Sequence, residues 1–377
     1  MPTQWSRMRL KVNSGIIKGP IDSSYRAYAR DDTCVGAIEE RNLESGPDGT
    51  RHTFAYGQYR VSYEVHGSGD RVLVWMHGLL LDANLSRHLA RRLAAQGNRV
   101  VLLDLLGHGH SDRPRHAGAL RMDLYAEQVL CLLDELGVDQ AVLGGVSLGT
   151  NVSLLTTVAA PERVRGLVLE MPVLESAVPA AVGVFMPVLI LAHYGHRVVR
   201  LLSRAAQRVP PSGIGALDSF LSAVASDPDE TAAVLHGVLI GPIAPTSDQR
   251  RAITAPALVL GHGIDLIHSF TDAERLTRQL PNARLIRTRT FAELWVLPGR
   301  LTREISTFLD RVWEGVEKAA PPGRYNGGRR SSSLAAPSAP SVVNVGPAEA
   351  RMATHQERPE GLPGRAPPRS PPHPRDA

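Results

Sequence analysis

One serine lies in a pattern that is typical of nucleophilic catalysis. The stretch LGGVSLGTN, residues 143–151, places Ser147 between Gly145 and Gly149. A serine hydroxyl attacks poorly at its ordinary pKa, so a nearby base must take its proton. The first question that the sequence raises is therefore which residue could act as that base.

The segments around Ser147 make the G-x-S-x-G pattern more specific. A strand-like run, AVLGG, precedes the serine and a helical pattern follows it, which is the context in which this motif is informative. The two glycines leave room for a sharp, strained turn. The N–H of Leu148, at the start of the helix, and that of Leu79, after an earlier strand, would form an oxyanion hole. A glycine-rich turn with a solvated serine is the alternative.

Composition narrows the class of protein. The chain has 377 residues, of which 43% are hydrophobic, as expected of a globular protein. Its net charge of +5 comes from scattered arginines without interleaved aromatic residues, so nucleic-acid binding is not predicted. No set of metal ligands and no phosphate-binding loop is visible, and we therefore predict neither a metal nor a cofactor.

Cysteine usage and hydropathy bear on localisation. Cys34 and Cys131 fit neither a CxxC metal site nor a disulfide framework, which favours a reducing compartment and predicts a cytoplasmic protein. The chain begins without a signal-like apolar run. The most apolar stretch, residues 176–192, is interrupted by Pro179 and Pro187 and is short of the ~20 residues that span a bilayer. We predict a buried or pocket-lining helix there, and no membrane span.

Strand and helix patterns alternate along the middle of the chain. Continuous apolar strands that alternate with helices predict a mostly parallel sheet covered on both faces. An antiparallel pair near residues 54–65 precedes it. The predicted parallel strands are residues 71–78, 99–107, 141–145, 163–170, 255–261 and 282–287.

The pattern also divides the chain into segments. Residues 52–171 and 251–316 form the predicted α/β core, and residues 172–250 interrupt the alternation between two strands. Residues 1–51 read as an irregular extension. Residues 317–377 are rich in proline and poor in aromatic residues, which predicts a disordered tail.

Several motifs occur in an order that resembles the α/β-hydrolase family. These are His77-Gly78, the loop GHGHSD, the serine motif and the segment APERVRGLVLE, within residues 54–316. The resemblance implies the α/β-hydrolase fold, with residues 172–250 as a helical cap over the active site. It implies Ser147 as nucleophile and Asp265 as the carboxylate that orients the base. Glu170 is a reserve acid, and an ordinary turn aspartate is the alternative for Asp265.

The catalytic base departs from the family pattern. The family's histidine follows the last strand, but no histidine occurs between Ser269 and Thr354, and Glu293 takes its approximate place. We predict His268 as the substitute, although it must lean across nearly 10 Å, the spacing of two strands. The weaker candidates are His262, His110 and His77.

Two functions remain open at this stage. The first is a serine hydrolase for an ester, lactone or related small apolar acyl substrate, in which Phe185 and Met186 from the apolar insertion line the pocket with His77 and Gly78. The second is a non-catalytic α/β-hydrolase-like protein that binds a small apolar ligand or a partner. The sequence makes no prediction of oligomeric state.

Overall fold

The structure is a computed structural model that describes residues 34, 43–46, 49–263, 265–290, 293–296 and 299–315. The predicted disordered tail, residues 317–377, lies outside the described residues, as does most of the N-terminal extension. The described part of that extension is not irregular. It contains strand β1 and the first residues of strand β2, so the boundary predicted at residue 51 lies too late in the chain.

Nine strands of the described residues form one sheet in the order β1-β2-β3-β5-β4-β6-β7-β8-β9. Strands β1, β2, β3 and β5 pair antiparallel with one another in that order. The remaining pairs, in the order β5-β4-β6-β7-β8-β9, are parallel. This confirms the predicted α/β class. The strands are β1 Leu43–Gly46, β2 Gly49–Tyr56, β3 Tyr59–His66, β4 Val72–Met76, β5 Arg99–Asp104, β6 Ala141–Val146, β7 Val164–Glu170, β8 Ala257–Gly261 and β9 Ala283–Arg287.

The central strands are buried on both faces, which explains why they read as continuous apolar runs. In β4, Val74 and Met76 pack into the core on one side of the sheet, and Leu73 and Trp75 into the core on the other. Such alternation follows from the two-residue period of a strand. Helices on each side complete the two cores.

Five helices cover the two faces of the sheet. Side chains of α1 and α11 belong to one core, and those of α2, α3 and α9 to the other. The helices outside the insertion are α1 Arg87–Ala94, α2 Met122–Glu135, α3 Leu148–Ala159, α8 Ser247–Ala252, α9 Phe270–Gln279, α10 Glu293–Val296 and α11 Gly299–Glu314.

Four helices fill the segment between β7 and α8. Asp227 accepts a hydrogen bond from the N–H of Asp229 and so caps the start of α7. Pro187 lies within α4. These helices are α4 Val178–Tyr194, α5 His196–Ala206, α6 Gly215–Ala225 and α7 Pro228–Leu239.

The two cysteines form a disulfide, contrary to the sequence prediction. Cys34 and Cys131 are separated by 97 residues, and their Cα atoms lie 5.6 Å apart. A single distant pair has no diagnostic spacing, so only tertiary packing could reveal it. Because disulfides persist mainly in oxidising compartments, the cysteine argument for a cytoplasmic protein fails.

Membrane-spanning potential is limited among the described residues. None of their helices is by itself long and apolar enough to cross a bilayer. The consecutive helices α4 and α5 meet the length and composition criterion only as a pair, and the chain bends by 102° between them.

Candidate active site

Ser147 lies on a sharp turn between β6 and α3. Its φ of 51° is in the left-handed region, which is strained for a residue with a side chain. Two other non-glycine residues with such φ values among the described residues, Leu80 and Met171, follow β4 and β7. Backbone strain in the described chain therefore concentrates where three neighbouring parallel strands end.

The two glycines of the motif are required by close backbone approach. A Cβ atom at either Gly145 or Gly149 would lie 2.4 Å from the carbonyl oxygen of Met76. The N–H of Gly149 also donates to the carbonyl oxygen of His77, at 3.1 Å. Strand β4 and helix α3 thus approach each other too closely for any larger residue, and this contact holds the turn in place.

His268 is the histidine that contacts Ser147. Its Nε2 lies 2.9 Å from the Ser147 Oγ, and its Nδ1 lies 3.0 Å from the Asp265 Oδ1. A carboxylate accepts only, so this network assigns the proton to Nδ1 and leaves Nε2 free to accept from the serine hydroxyl. The arrangement is the one that general-base activation of a serine requires.

A turn after β8 explains how His268 spans two strands. The Asp265 Oδ1 also accepts hydrogen bonds from the N–H groups of Ile267 and His268, both at 2.8 Å. These bonds fold the chain back after Asp265, so the histidine ring is carried across the end of β7 toward Ser147. The side chains of His268 and Asp265 are 12% and 11% exposed, so the pair is largely shielded from water.

Asp265 is held as a carboxylate. Burial alone would raise its pKa, but the hydrogen bonds from the side chain and backbone of His268, and the charge interaction with that ring, outweigh burial and lower the pKa well below its usual range. An ionised Asp265 can therefore fix the tautomer of His268 and stabilise the imidazolium that forms when the serine loses its proton.

The predicted oxyanion donors lie beside the serine. Leu148 is the first residue of α3, and Leu79 lines the same cavity as Ser147. Within the described residues, neither backbone N–H has an acceptor. Both donors are thus available to a ligand, and the start of α3 adds a favourable helix-end potential for negative charge.

A largely apolar cavity of about 770 Å³, counting its open mouth, adjoins Ser147. Among the described residues that line it, Asn151 is the one polar residue besides Ser147. The polar atoms of the Asn151 side chain are engaged by the backbone of Val173 and Ile243. The cavity can therefore accept an apolar chain but offers few polar partners. Its other lining residues are Leu79, Met122, Leu148, Val173, Val178, Ala181, Val182, Phe185, Met186, Leu189, Leu235, Val238, Leu239, Ile243 and Ile267.

One face of α4 supplies much of this lining. Phe185 and Met186 line the cavity together with Leu189, and their contact with a substrate stays a prediction. The spacing of three and four residues places these side chains on one face of a helix. Val184 and Leu191 fall on another face and are exposed. The prediction that this stretch is buried or pocket-lining therefore holds for only part of the helix.

The structure does not bring His77, Gly78 or His110 to the cavity. The buried His77 ring accepts from the N–H of Leu105 and lies 2.8 Å from the Gly78 carbonyl oxygen, so both ring nitrogens are engaged by the backbone. His110 lines a separate depression. Hence His77 positions the loop after β4 rather than contacting a ligand.

The remaining residues that the sequence suggested for the catalytic acid or base form pairs with each other or with an arginine. His262 Nε2 lies 3.2 Å from Glu170 Oε1, and both side chains are fully buried. Glu293 forms an ion pair with Arg300, its Oε1 lying 2.8 Å from the Arg300 Nε. Within the described residues, no hydrogen bond joins the side chains of His262, Glu170 or Glu293 to Ser147. The backbone carbonyl oxygen of Glu170 accepts from the N–H of Ser147, at 2.9 Å.

Asn151 is a site residue that sequence reasoning missed. Its Nδ2 donates to the carbonyl oxygens of Val173 and Ile243, at 2.7 and 3.0 Å. These two residues lie where the chain enters and leaves the helical insertion, so Asn151 anchors both ends beside the cavity. Asn151 lies four residues after Ser147, which is one helical turn along α3. That spacing places both side chains on the same side of the helix and could have indicated Asn151 from the sequence.

Comparison with known proteins agrees with this architecture. The alpha/beta hydrolase fold family matches residues 71–193. A 2-hydroxymuconate semialdehyde hydrolase from Pseudomonas sp. (strain CF600) is 37% identical over 105 residues, which cover 28% of this chain and 34% of that protein. The acetyltransferase component of the acetoin cleaving system from Pseudomonas putida is 44% identical over 109 residues, covering 28% of each chain. The chain thus spans about a third of the length of these curated relatives.

Solved structures extend the likeness over more of the chain. The enol-lactonase from Burkholderia xenovorans LB400 superposes with a TM-score of 0.55 at 20% identity, covering 69% of this chain and all of that one. Such low identity carries information about the fold rather than the activity. The sheet order, the strained serine turn and these matches together show that the chain has the α/β-hydrolase fold.

Proposed function

We propose that the protein is a serine hydrolase that acts on an ester, a lactone or a related apolar acyl substrate. The observation that carries the proposal is the continuous set of hydrogen bonds from Ser147 through His268 to Asp265, with heavy-atom distances of 2.9 and 3.0 Å. Three groups in this order are what acyl transfer by a serine needs. His268 comes from the loop after β8 rather than after the last strand.

Each group has a defined part in the proposed reaction. His268 Nε2 takes the proton of Ser147 as the oxygen attacks the acyl carbon, and the N–H groups of Leu79 and Leu148 stabilise the oxyanion. His268 then gives the proton to the departing alcohol oxygen, which leaves an acyl-serine. A water molecule, activated by the same ring, releases the acid and regenerates the serine.

The substrate class is inferred from the cavity. An apolar lining next to the serine favours an acyl chain, and the absence of a charged lining group among the described residues disfavours an acidic or basic one. The proteins that resemble this chain in sequence or fold include a semialdehyde hydrolase, an enol-lactonase and an esterase, and the names of the last two refer to lactones and esters. The second matched relative, an acetyltransferase component, shows that the matched segment is not confined to hydrolases.

A fluorophosphonate probe and short p-nitrophenyl esters test the proposal together. We expect the probe to label wild-type protein at Ser147, and Ser147→Ala to lose both labelling and turnover, the latter by several orders of magnitude. Ser212→Ala, which changes an exposed serine outside the cavity, is the matched control. An unlabelled, inactive wild-type protein would instead favour a non-catalytic protein that binds an apolar ligand or a partner.

A further inference from the structure

Exposed apolar side chains concentrate on the helical insertion. Within the described residues, all but one of the large hydrophobic side chains that are exposed lie between Val182 and Ile240, and the exception is Leu266. Scattered single hydrophobic residues are normal on a protein surface, whereas a contiguous group marks an interaction site. Helices α4, α5 and α6 each contribute several of these side chains.

Helix α5 has its polar side toward the protein and its apolar side toward solvent. Ser203 is buried, and its hydroxyl donates to the carbonyl oxygen of Ala225 at 2.6 Å. Arg200 lies on the same inner side, within 3.6 Å of Asp229. In contrast, Leu201 is 67% exposed and Leu202 is 55% exposed. A helix on the surface of a soluble domain normally has the opposite orientation.

The exposed side of α5 is also basic. Arg197 and Arg204 are seven residues apart, which places them on one side of the helix, next to Leu201. Both are exposed, and neither forms an ion pair with any described residue. Apolar side chains flanked by arginines are typical of helices that lie in the interface of a membrane.

Acidic residues are nearly absent from this region. Between residues 176 and 226 the one acidic residue is Asp218. Its carboxylate accepts hydrogen bonds from the hydroxyl and N–H of Ser212 and from the N–H of Gly213. The exposed surface of α4–α6 therefore complements a negatively charged partner.

The exposed apolar surface continues into the cavity beside Ser147. Val182, Met186 and Leu239 line that cavity and are also 39%, 38% and 48% exposed. On α4, Ile190 and Tyr194 extend the apolar surface beyond the cavity mouth, with exposures of 51% and 82%. None of the described residues that line the cavity is charged, so an apolar molecule on this surface meets an apolar lining as it enters.

We propose that helices α4–α6 dock on a membrane surface that contains anionic phospholipid. The exposed leucines of α5 and the apolar side chains of α4 would enter the acyl boundary, while Arg197 and Arg204 remain at the level of the lipid phosphates. Acyl substrates then reach the cavity from the bilayer. This last step rests on the proposed hydrolase function, whereas the docking itself does not.

The charge of the exposed α4–α6 surface favours lipid over a second copy of the chain as its binding partner. In a symmetric dimer built on this surface, Arg197 and Arg204 of each copy would lie near the same arginines of the other, and the surface offers no free carboxylate to pair with them. An anionic membrane supplies phosphate groups over the whole area. It also accepts the protruding leucines without requiring a complementary protein shape.

Vesicle flotation of the full chain tests the docking. Ser147→Ala is used throughout, so that lipid turnover cannot alter the vesicles. We expect the protein to float with vesicles of phosphatidylcholine and phosphatidylglycerol and to bind pure phosphatidylcholine far less. Equal binding to both kinds of vesicle, or binding to neither, would overturn the proposal.

Two double variants separate the contributions of the arginines and of the leucines of α5 to vesicle binding. Arg197→Ala with Arg204→Ala should weaken binding by about fivefold for each arginine removed. Leu201→Ser with Leu202→Ser should weaken it at least about tenfold. The matched control is Arg303→Ala with Arg311→Ala, which removes the same charge from exposed positions on α11. Equal losses in the control and the α5 arginine pair would overturn the assignment to α5.

Activity and mass measurements distinguish the other outcomes. With Ser147 restored, the α5 variants should keep wild-type turnover of a soluble short ester. A wild-type protein that is inactive but still floats with the vesicles would refute the hydrolase proposal and leave the docking proposal intact. Light scattering reports on association of the chain. A dimer that Leu201→Ser with Leu202→Ser abolishes, without vesicle binding by the parent protein, would assign the surface to a second copy and overturn lipid docking.

Discussion

Two carboxylate–histidine pairs lie near the ends of the neighbouring strands β7 and β8, and they differ in exposure and in hydrogen-bond partners. Asp265 and His268 follow β8 and are slightly exposed, and the second ring nitrogen contacts Ser147. Glu170, at the end of β7, and His262, just after β8, are fully buried. The His262 Nδ1 lies 3.1 Å from the Thr290 carbonyl oxygen. A carbonyl only accepts, so Nδ1 donates, and no nitrogen of His262 remains for a substrate.

The comparison shows that a pair of the right residue types is not sufficient for catalysis. A general base needs one nitrogen that is free and directed at the reacting atom. The Glu170–His262 pair instead connects β7, β8 and the loop after β9, which is a structural task. The α/β-hydrolase pattern would place the catalytic histidine in this loop after β9. In this chain the loop contains no histidine, and the buried His262 contacts its backbone instead.

The largest effect in this comparison is expected for His268→Ala. Loss of the base should reduce ester turnover about as severely as Ser147→Ala, by several orders of magnitude, and the double variant should be little worse, since the groups act as a unit. Steady-state turnover of p-nitrophenyl esters measures this. His88→Ala, an exposed histidine on α1, is the control, and full activity in His268→Ala would remove His268 from the mechanism.

A somewhat smaller effect is expected for Asp265→Asn. The amide keeps the shape of the side chain but cannot hold a protonated Nδ1 as a carboxylate does, and the corresponding change in triads costs up to about 10⁴-fold in turnover. The measurement is kcat with the same esters. Retention of more than a tenth of the activity would show that Asp265 does not orient His268.

The pH dependence of stability provides a second readout for Asp265. Its folded-state pKa lies below the unfolded value of ~3.9, so its contribution to the free energy of unfolding is full above that value and is lost as pH falls toward the folded pKa. The stability difference between wild type and Asp265→Asn should therefore shrink below about pH 4. Urea denaturation at several pH values measures it, and a constant difference would contradict the lowered pKa.

Local patterns explain which parts of the site could be predicted from the sequence. The serine turn depends on Gly145, Gly149 and the strand and helix beside them, all of which are contiguous in the chain. The oxyanion donor Leu148 follows directly from that turn. The sequence favours His268 because no later histidine occurs before the tail. Its reach to Ser147, however, depends on hydrogen bonds from the backbone to Asp265, which no sequence pattern reveals.

Features that depend on which strands are neighbours were not predictable in the same way. The pairing of Glu170 with His262 requires that β7 and β8 be adjacent, and the two residues are 92 positions apart in the chain. The disulfide between Cys34 and Cys131 likewise joins distant segments. The outward apolar side of α5 was missed because apolar periodicity identifies a face but not its direction.

Glu170→Gln is expected to reduce stability more than activity. Glutamine introduces an amide group that must be buried beside His262, and a buried polar group left without a partner costs about 1–3 kcal/mol. The free energy of unfolding by urea measures this loss. Turnover per folded molecule should stay within about fivefold of wild type, because Glu170 touches Ser147 only through its backbone carbonyl. A loss of turnover as large as that of His268→Ala would instead place this pair in the mechanism.

The smallest effect on rate is expected for Glu293→His, which restores a histidine near the position where the family places one. Glu293 is 5% exposed, and its carboxylate binds Arg300 and accepts from the N–H of Arg289 at 2.5 Å. A histidine there would lose the ion pair and find the serine hydroxyl already bonded to His268, so turnover should not rise and stability should fall.

Combining Glu293→His with His268→Ala sharpens this last prediction. If His268 is the base because of its contact with Ser147, the new ring should not rescue the double variant, since its position is set by the α10 segment rather than by the turn at Asp265. Ester turnover and urea denaturation of all three variants decide between the outcomes. Recovery of activity in the double variant would show that the loop after the last strand can still deliver a base, and that the two positions are interchangeable.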